Sequence, residues 1–152
     1  MKNWWLLLLI VPVIYGAKKT MQTRGFRNNN PGNLRASASF TWQGQTGVDP
    51  QGFVIFNSMQ NGVRALAITL KNYSAIHGLD TISGIIRRYA PDSENNTAAY
   101  ISDVSSYMGI SPDQPIDVSA HLPRLIGAIV RHENGTLGPV NNGVINSGVQ
   151  SA

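Results

Sequence analysis

Glu133 is the residue whose position most strongly suggests chemistry. It is one of only two glutamates in the 152-residue chain, in the stretch LIGAIVRHENG. Leucine, isoleucine or valine occupies positions 122, 125, 126, 129 and 130, the spacing of a buried helical face, and Glu133 continues that face. Burial and the negative end of a helix dipole favour a protonated carboxyl, which could donate a proton to a glycosidic oxygen. Alternatively, the helix frays and Glu133 points into solvent beside Arg131 or His132.

Two further carboxylates each have two open roles. Glu94 precedes a predicted helix in YAPDSENNTAAYISDV, so it is either a stabilising helix-start carboxylate or part of a substrate cleft. Asp49 precedes Pro50 in TGVDPQGF, so it is either a turn residue or a second carboxylate that assists a glycosidase.

Four other residues have the chemistry of a sugar-binding cleft, in which aromatic faces stack on rings and amides bind hydroxyls: Asn30, Asn33, Arg35 and Trp42. As a core residue of a hairpin, Trp42 would need no such role.

Composition excludes several other chemistries. The chain has no cysteine, and its three histidines are scattered without ligand spacing, so we expect no metal and no other cofactor. No G-x-S-x-G, phosphate-binding loop or dinucleotide fingerprint occurs. The net charge of +4 suits an anionic surface such as a membrane, a cell wall or nucleic acid without selecting one.

The elements that must position these residues are mainly helical, and the predicted class is α+β. Residues 39–56 predict a small β-hairpin. Four helices should follow. The first is capped by Ser58, ends near 77–78 and has an apolar face that includes Leu66, Leu70 and Tyr73; the second is capped by Thr81, with Tyr89 on its inward face. The third starts near Asn95 or Asn96, has an apolar face that includes Tyr100 and ends at Gly109, and the last starts near Asp117 or Ser119 and ends at 134–135. The Gly/Asn/Ser-rich remainder, from residue 136, should be irregular or loosely paired.

The N-terminus predicts a membrane anchor. Residues 4–17 form an uninterrupted apolar run between lysines, and neither Gly16 nor Ala17 offers a good signal-peptidase site. Trp4, Trp5 and Tyr15 suit the membrane interface. We therefore expect a signal-anchor or transmembrane segment at 1–19, a tether at 20–27 and one domain at 28–152.

Four segments together resemble a group of phage-associated lytic proteins, related to lysozyme-like lytic transglycosylases and glucosaminidases. They are RGFRNNNPGNLR at 24–35, the hairpin and helix at 42–73, TISGIIRRYAPDSENNTAAYISDV at 81–104, and RHENG at 131–135. The resemblance implies a lysozyme-like fold in which Asn33, Arg35, Glu94, Thr97 and Tyr100 face a glycan cleft.

In lysozyme-like enzymes the catalytic glutamate ends the first helix, before the hairpin, whereas here the helix ending in Glu133 comes last. The resemblance therefore implies a circular permutation, which compact domains with neighbouring chain ends tolerate. It implies a phage-encoded enzyme that cleaves the bond between N-acetylmuramic acid and N-acetylglucosamine, by lytic transglycosylation or hydrolysis.

The expected partners follow from this resemblance and from the N-terminal segment. They are bacterial peptidoglycan, a lipid membrane and other virion proteins, and not nucleic acid. The expected location is a virion membrane or the host inner membrane, with the domain facing the periplasm. The alternative is a non-catalytic, membrane-anchored virion structural or glycan-binding protein.

Overall fold

A computed structural model describes residues 22–152. The predicted anchor at 1–19 and the first residues of the predicted tether lie outside this range. Among the described helices, none combines the length and the apolar character needed to cross a membrane.

The described chain is α+β and mainly helical, with one small antiparallel sheet, as predicted. Strands β1 and β2 form the expected hairpin, with an irregular register between Gln45 and Gly47. The elements in chain order are α1 (Arg24–Arg27), β1 (Gln45–Val48), β2 (Val54–Phe56), α2 (Met59–His77), α3 (Ile82–Tyr89), α4 (Thr97–Met108), α5 (Val118–Asn134) and α6 (Asn142–Gln150).

Capping side chains define where the predicted helices begin. Ser58, Thr81, Asn96 and Asp117 each accept a hydrogen bond from the backbone N–H three residues further on, which satisfies a donor that the helix itself leaves unpaired. Helices α2, α4 and α5 end at glycines with positive φ, where a side chain would be strained. These boundaries confirm the sequence predictions.

Helices α2 and α5 form the centre of the core. Helix α2 packs against α5 and α6, and α5 packs against α4 and α6. The predicted apolar faces are buried: Leu66 and Leu70 of α2 and Ile126 and Ile129 of α5 are 0% exposed. Glu133 therefore extends from the end of a helix whose other face residues are locked in the core.

The prediction of an irregular C-terminus was wrong, because residues 142–150 form α6. Asn141 caps this helix, and Gly148 lets it approach α2 so closely that a Cβ there would lie 2.5 Å from Val63 Cγ1. Lys71 and Arg64 of α2 donate hydrogen bonds to the carbonyls of Ala152 and Ser151. Tertiary packing thus stabilises a segment whose asparagines and glycines disfavour helix.

Residues 24–27, predicted as part of the tether, form the short helix α1 instead. Thr23 caps it, and its Phe26 packs into the core with 9% exposure. The packed domain therefore begins before residue 28, because the apolar side chain of Phe26, two residues upstream of the turn cluster, is part of the core.

The segment NNNPGN, residues 28–33, forms a compact turn locked onto the hairpin. Asn29 and Asn33 adopt left-handed backbone, with φ of 51° and 49°. Asn30 is fully buried, and its amide donates to the carbonyls of Leu34 and Val54 and accepts from the Leu34 N–H, all at 2.8–2.9 Å. Asn30, predicted to line the cleft, is therefore a cross-link inside the fold.

Gly62→Ala should destabilise the protein although alanine normally favours a helix. Its Cβ would lie 1.9 Å from the Asn29 carbonyl oxygen and 2.9 Å from Pro31 Cδ, so α2 would have to move away from the turn. We expect a loss of about 2 kcal/mol or more in unfolding free energy, the scale of an overpacked site. Urea denaturation measures it. The control is Gly143→Ala on the exposed side of α6, and equal stability of the two variants would contradict close packing of α2 on the turn.

Candidate active site

An open cleft of about 600 Å³ lies between the 28–33 turn, the hairpin and the ends of α3 and α5. Of the residues that the structure describes, the acidic ones lining it are Glu94 and Glu133. No group of three His, Cys, Asp or Glu side chains that could hold a metal ion occurs in residues 22–152. The full lining consists of Arg24, Gly32, Asn33, Leu34, Arg35, Trp42, Phe53, Thr69, Tyr73, Tyr89, Ala90, Pro91, Glu94, Asn95 and Glu133.

Glu133 is half-buried in the wall of this cleft, and each of its carboxyl oxygens has one hydrogen-bond donor. Asn33 Nδ2 donates to Oε2 at 2.8 Å, and the Tyr100 hydroxyl donates to Oε1 at 2.8 Å. Asn33 lies 100 residues before Glu133 in the sequence, and its left-handed backbone turns its side-chain amide toward α5. Two donors from separate elements define the plane of the carboxyl group.

Asn134 ties the end of α5 to the same turn. Its buried amide donates to the carbonyls of Pro31 and Val130, at 2.8 and 2.9 Å, and accepts from the Thr23 hydroxyl at 2.6 Å. This network prevents fraying of the last helical turn, so Glu133 stays in the cleft wall instead of turning into solvent.

Two tyrosines support the carboxyl group from behind. Tyr100 is 1% exposed, and its ring meets that of Tyr89 edge to face at 6.3 Å. Burial raises the pKa of Tyr100 far above its usual value, and the neighbouring Tyr89 and Glu133 raise it further. Burial, Glu133 and Tyr73 likewise raise the pKa of Tyr89, whose hydroxyl donates to the Gly32 carbonyl. Both hydroxyls therefore remain neutral donors over the physiological pH range.

His132 packs on the other side of Tyr100, stacked on its ring at 3.6 Å between centroids, with Nδ1 2.7 Å from Asp103 Oδ2. Asp103 and His132 line a second cavity of about 410 Å³. Because the stack leaves Tyr100 little freedom to tilt, it also restrains the hydroxyl that holds Glu133.

The predicted residues Arg35, Glu94 and Trp42 all line the cleft. Arg35 pairs with Glu94 at 3.3 Å, and both side chains are more than half exposed. Trp42 contacts Phe40 edge to face at 4.9 Å and packs against the core while also lining the cleft. Thr97 is buried, and its hydroxyl bonds the Ala90 carbonyl; it holds α4 to the end of α3 and does not line the cleft.

Asp49 also lies outside the cleft lining, in the hairpin turn. One oxygen accepts from the N–H groups of Gln51 and Phe53, and the other from Asn28 Nδ2 at 2.8 Å. Burial would raise the pKa of Asp49, but these hydrogen bonds and the nearby Arg24 outweigh it and leave the pKa below its usual value. Its contacts are those of a turn residue.

Sequence reasoning missed ten of the fifteen lining residues, among them Arg24, Phe53, Thr69, Tyr73 and Tyr89. Tyr73 and Tyr89 stood on predicted inward faces, where a buried hydroxyl that needs a partner is a signal of a polar site. For Arg24 and Phe53 the available signal was their place within the segments that resemble lytic proteins. Thr69 carried no recognisable signal, because α2 also uses polar residues on its solvent side.

Comparison with known proteins adds a relationship to this geometry. No protein-family model matches the chain. Over 116 residues it is 37% identical to protein P5 of Pseudoalteromonas phage PM2, covering 74% of this chain and 72% of that protein. The chain belongs to the family of this phage protein. The expected association with bacteriophages is thereby confirmed, and the relationship by itself specifies no activity.

Asp49→Asn should lower the free energy of unfolding at neutral pH and make that free energy depend less on pH in the acid range. The folded-state pKa of Asp49 lies below the reference value of 3.8, so its contribution is present above that value and is lost as pH falls through the folded pKa. In the variant, an NH2 group replaces the oxygen that accepts from Asn28 Nδ2, so this hydrogen bond is lost. Urea unfolding measures this effect. The difference in unfolding free energy between wild type and Asp49→Asn should be smaller at about pH 3 than at about pH 7.

The matched control for this experiment is Asp113→Asn, an exposed loop carboxylate with no side-chain hydrogen bond among the described residues. A gap between wild type and Asp49→Asn that stays constant with pH would contradict the assigned contacts of Asp49.

Proposed function

We propose that this protein is a peptidoglycan-degrading enzyme with a lysozyme-like, circularly permuted domain, in which Glu133 is the catalytic acid. One observation carries the proposal: the carboxyl group of Glu133 lines an open cleft and is oriented by Asn33 and Tyr100. A proton donor in this position can protonate the oxygen of a glycosidic bond laid along the cleft. The substrate would be the bond between N-acetylmuramic acid and N-acetylglucosamine.

The donors around Glu133 favour a reaction in which this one group acts twice. After Glu133 has given its proton to the leaving oxygen, Asn33 and Tyr100 donate to the resulting carboxylate. That carboxylate can then take a proton from the attacking hydroxyl, as microscopic reversibility requires. Tyr100 can rotate its hydroxyl to serve either protonation state of Glu133, because a hydroxyl both donates and accepts.

Among the described carboxyl groups that line the cleft, Glu133 is held in the inner wall and Glu94 lies at the exposed edge, and this arrangement supports lytic transglycosylation over hydrolysis. Both oxygens of Asp49 are occupied in the hairpin turn, and Glu94 is paired with Arg35 at the exposed edge of the cleft. In the transglycosylase route the 6-hydroxyl of the muramic acid attacks its own anomeric carbon, which gives an anhydro product and consumes no water. Hydrolysis with a second carboxylate is the alternative route.

The phage relationship supports a role in crossing or lysing the host cell wall. The N-terminal apolar run would tether the enzyme to the virion membrane or to the host inner membrane, with the domain facing the periplasm. The competing proposal, a non-catalytic virion structural or glycan-binding protein, shares the cleft but needs no acid in it.

Glu133→Gln should abolish most lytic activity without loss of fold. The glutamine carbonyl can accept from Asn33, and its amide can donate to the Tyr100 oxygen, so both hydrogen bonds persist with the Tyr100 hydroxyl turned. Removal of a general acid commonly costs 10²–10⁴-fold or so, and we expect a fall of at least about two orders of magnitude. Release of soluble muropeptides from purified murein measures it.

Asp113→Asn is the control that removes one negative charge far from this chemistry, and its rate should equal that of wild type. Near wild-type lysis by a folded Glu133→Gln protein would eliminate Glu133 as the acid. Murein binding without any cleavage by wild type would instead establish the non-catalytic alternative.

The digestion products should carry 1,6-anhydromuramic acid ends. The physical reason is that, among the described lining residues, Glu133 is the carboxyl group that two side-chain donors hold in the cleft wall, whereas Glu94 lies at the exposed edge. Mass spectrometry separates the two routes, since an anhydro product is lighter than its hydrolysed counterpart by one water. Reducing muramic acid as the main product would assign the reaction to hydrolysis and direct attention to Glu94.

A further inference from the structure

We infer that the cleft contains an anion-binding site, formed by Arg24 and Arg35 around Phe53, that takes a carboxylate carried by the glycan strand. This rests on the proposed function, which it deepens: the preferred ligand would be an acidic glycan rather than a neutral one. All three residues line the cleft that also contains Glu133.

Phe53 brings the two arginines together. The guanidinium carbon of Arg24 lies 4.3 Å from the centre of its ring, and that of Arg35 lies 4.6 Å from it. A backbone bridge between Arg35 and Phe53 fixes the second arginine to the hairpin. Stacking on a ring uses the face of a guanidinium and leaves its in-plane N–H donors for an anion. Two like charges at one ring repel each other, and a bound anion would relieve that repulsion.

The existing acidic contacts leave much of this donor capacity unused. Arg24 Nε lies 3.9 Å from Asp49 Oδ2, too far for a hydrogen bond, and that carboxylate already accepts from other groups. Arg35 contacts Glu94 through Nη2 at 3.3 Å and donates from Nη1 to the Gln51 carbonyl at 3.2 Å, which leaves its remaining N–H groups without a partner among the described residues; the Arg35 and Glu94 side chains are 56% and 57% exposed. Exposed pairs of this kind contribute little stability, so Glu94 can be displaced readily by a carboxylate that arrives with the ligand.

The position of the site relative to Glu133 identifies its occupant. Asn33, which binds Glu133, and Arg35 are two residues apart, so their Cα atoms are separated by at most about 7 Å. Because Arg35 and Glu133 also line the same cleft, we expect an anion held by the arginines to belong to the glycan strand that presents the reacting bond. In a murein strand the carboxylates in such a place are those of the muramic lactyl group, when free, or of the stem peptide attached to it.

The test compares binding of carboxylated and neutral glycans to variants that also carry Glu133→Gln, so that no ligand is consumed. Ligands are murein glycan strands with stem peptides, the same strands stripped of peptide, and neutral N-acetylglucosamine oligomers. Arg24→Gln with Arg35→Gln should weaken binding of the carboxylated strands about tenfold or more. Binding of the neutral oligomers should change less than about twofold. If the arginine substitutions also weaken binding of the stripped strands, the bound carboxylate is that of the lactyl group. If they weaken binding only of strands that carry stem peptides, the bound carboxylate belongs to the stem peptide.

Arg27→Gln with Arg87→Gln removes the same charge from exposed positions that do not line the cleft, and should leave all affinities unchanged. A second arm needs no arginine variant: converting the strand carboxylates to methylamides should weaken binding to the same degree.

The anion site would be overturned by an equal loss of affinity for neutral and carboxylated ligands, by no loss of affinity, or by the same loss in the charge-matched control. Cleavage is scored separately on murein with Glu133 intact. Wild-type cleavage together with unaltered binding by the arginine variants would remove the anion site and leave the lytic function standing. Selective, arginine-dependent binding without cleavage would remove the lytic function and leave the anion site standing.

Discussion

The contact between the last turn of α5 and the turn at residues 28–33 organises the whole cleft. Asn134 and Glu133 are neighbours in sequence, and both are bound to this turn. The side-chain amide of Asn134 donates to the Pro31 carbonyl, and the side-chain amide of Asn33 donates to the carboxyl group of Glu133. A helix end has unpaired carbonyl groups and tends to fray. Here the buried Asn134 network holds that end against a segment more than 100 residues distant. The position of Glu133 is thus a property of tertiary structure.

Close backbone approach makes this contact possible. A Cβ on Gly25 would lie 2.5 Å from Asn134 Oδ1, and one on Gly32 would lie 2.6 Å from the Tyr89 hydroxyl. Gly62 plays the same part for α2 beneath the turn. Gly25 and Gly32 permit a helix end and a tyrosine to come near enough for hydrogen bonding, and Gly62 permits α2 to pack directly against the turn. The asparagines then supply amides that pair with the backbone groups of a turn that has no regular secondary structure to satisfy them.

The cleft combines a rigid inner wall with a more exposed edge. The inner wall contains Glu133, with Tyr100 and Tyr89 as neutral hydrogen-bond donors behind it. At the edge, Arg35 and Glu94 are exposed and pair weakly. A half-buried acid that two donors hold in place suits proton transfer, whereas exposed charges with weak partners can exchange those partners for a ligand. The proposed glycan chemistry uses the first region, and the proposed carboxylate site uses the second.

The sequence alone determined the helices with strong local signals. Ser58, Thr81 and Asp117 as caps, and glycines at the helix ends, were correctly predicted because capping is decided within one turn of chain. The apolar face leading to Glu133 was also evident, since its spacing is a local property. The resemblance to lytic proteins placed Asn33 in the predicted cleft, which it does line. Its placement of Tyr100 facing the cleft was wrong, because Tyr100 is buried in the core, as its periodicity predicted, and reaches the site through its hydrogen bond to Glu133.

Only the tertiary structure decided which polar residues line the cleft and which support the fold. Asn30 and Asn33 are three residues apart in one turn, yet the first cross-links the hairpin and the second binds Glu133. Asp49 and Thr97 are likewise satisfied by local backbone groups. Helix α6 was missed because its stability comes from packing on α2. Such assignments depend on hydrogen-bond partners and contact surfaces brought from distant parts of the chain, which local sequence patterns do not contain.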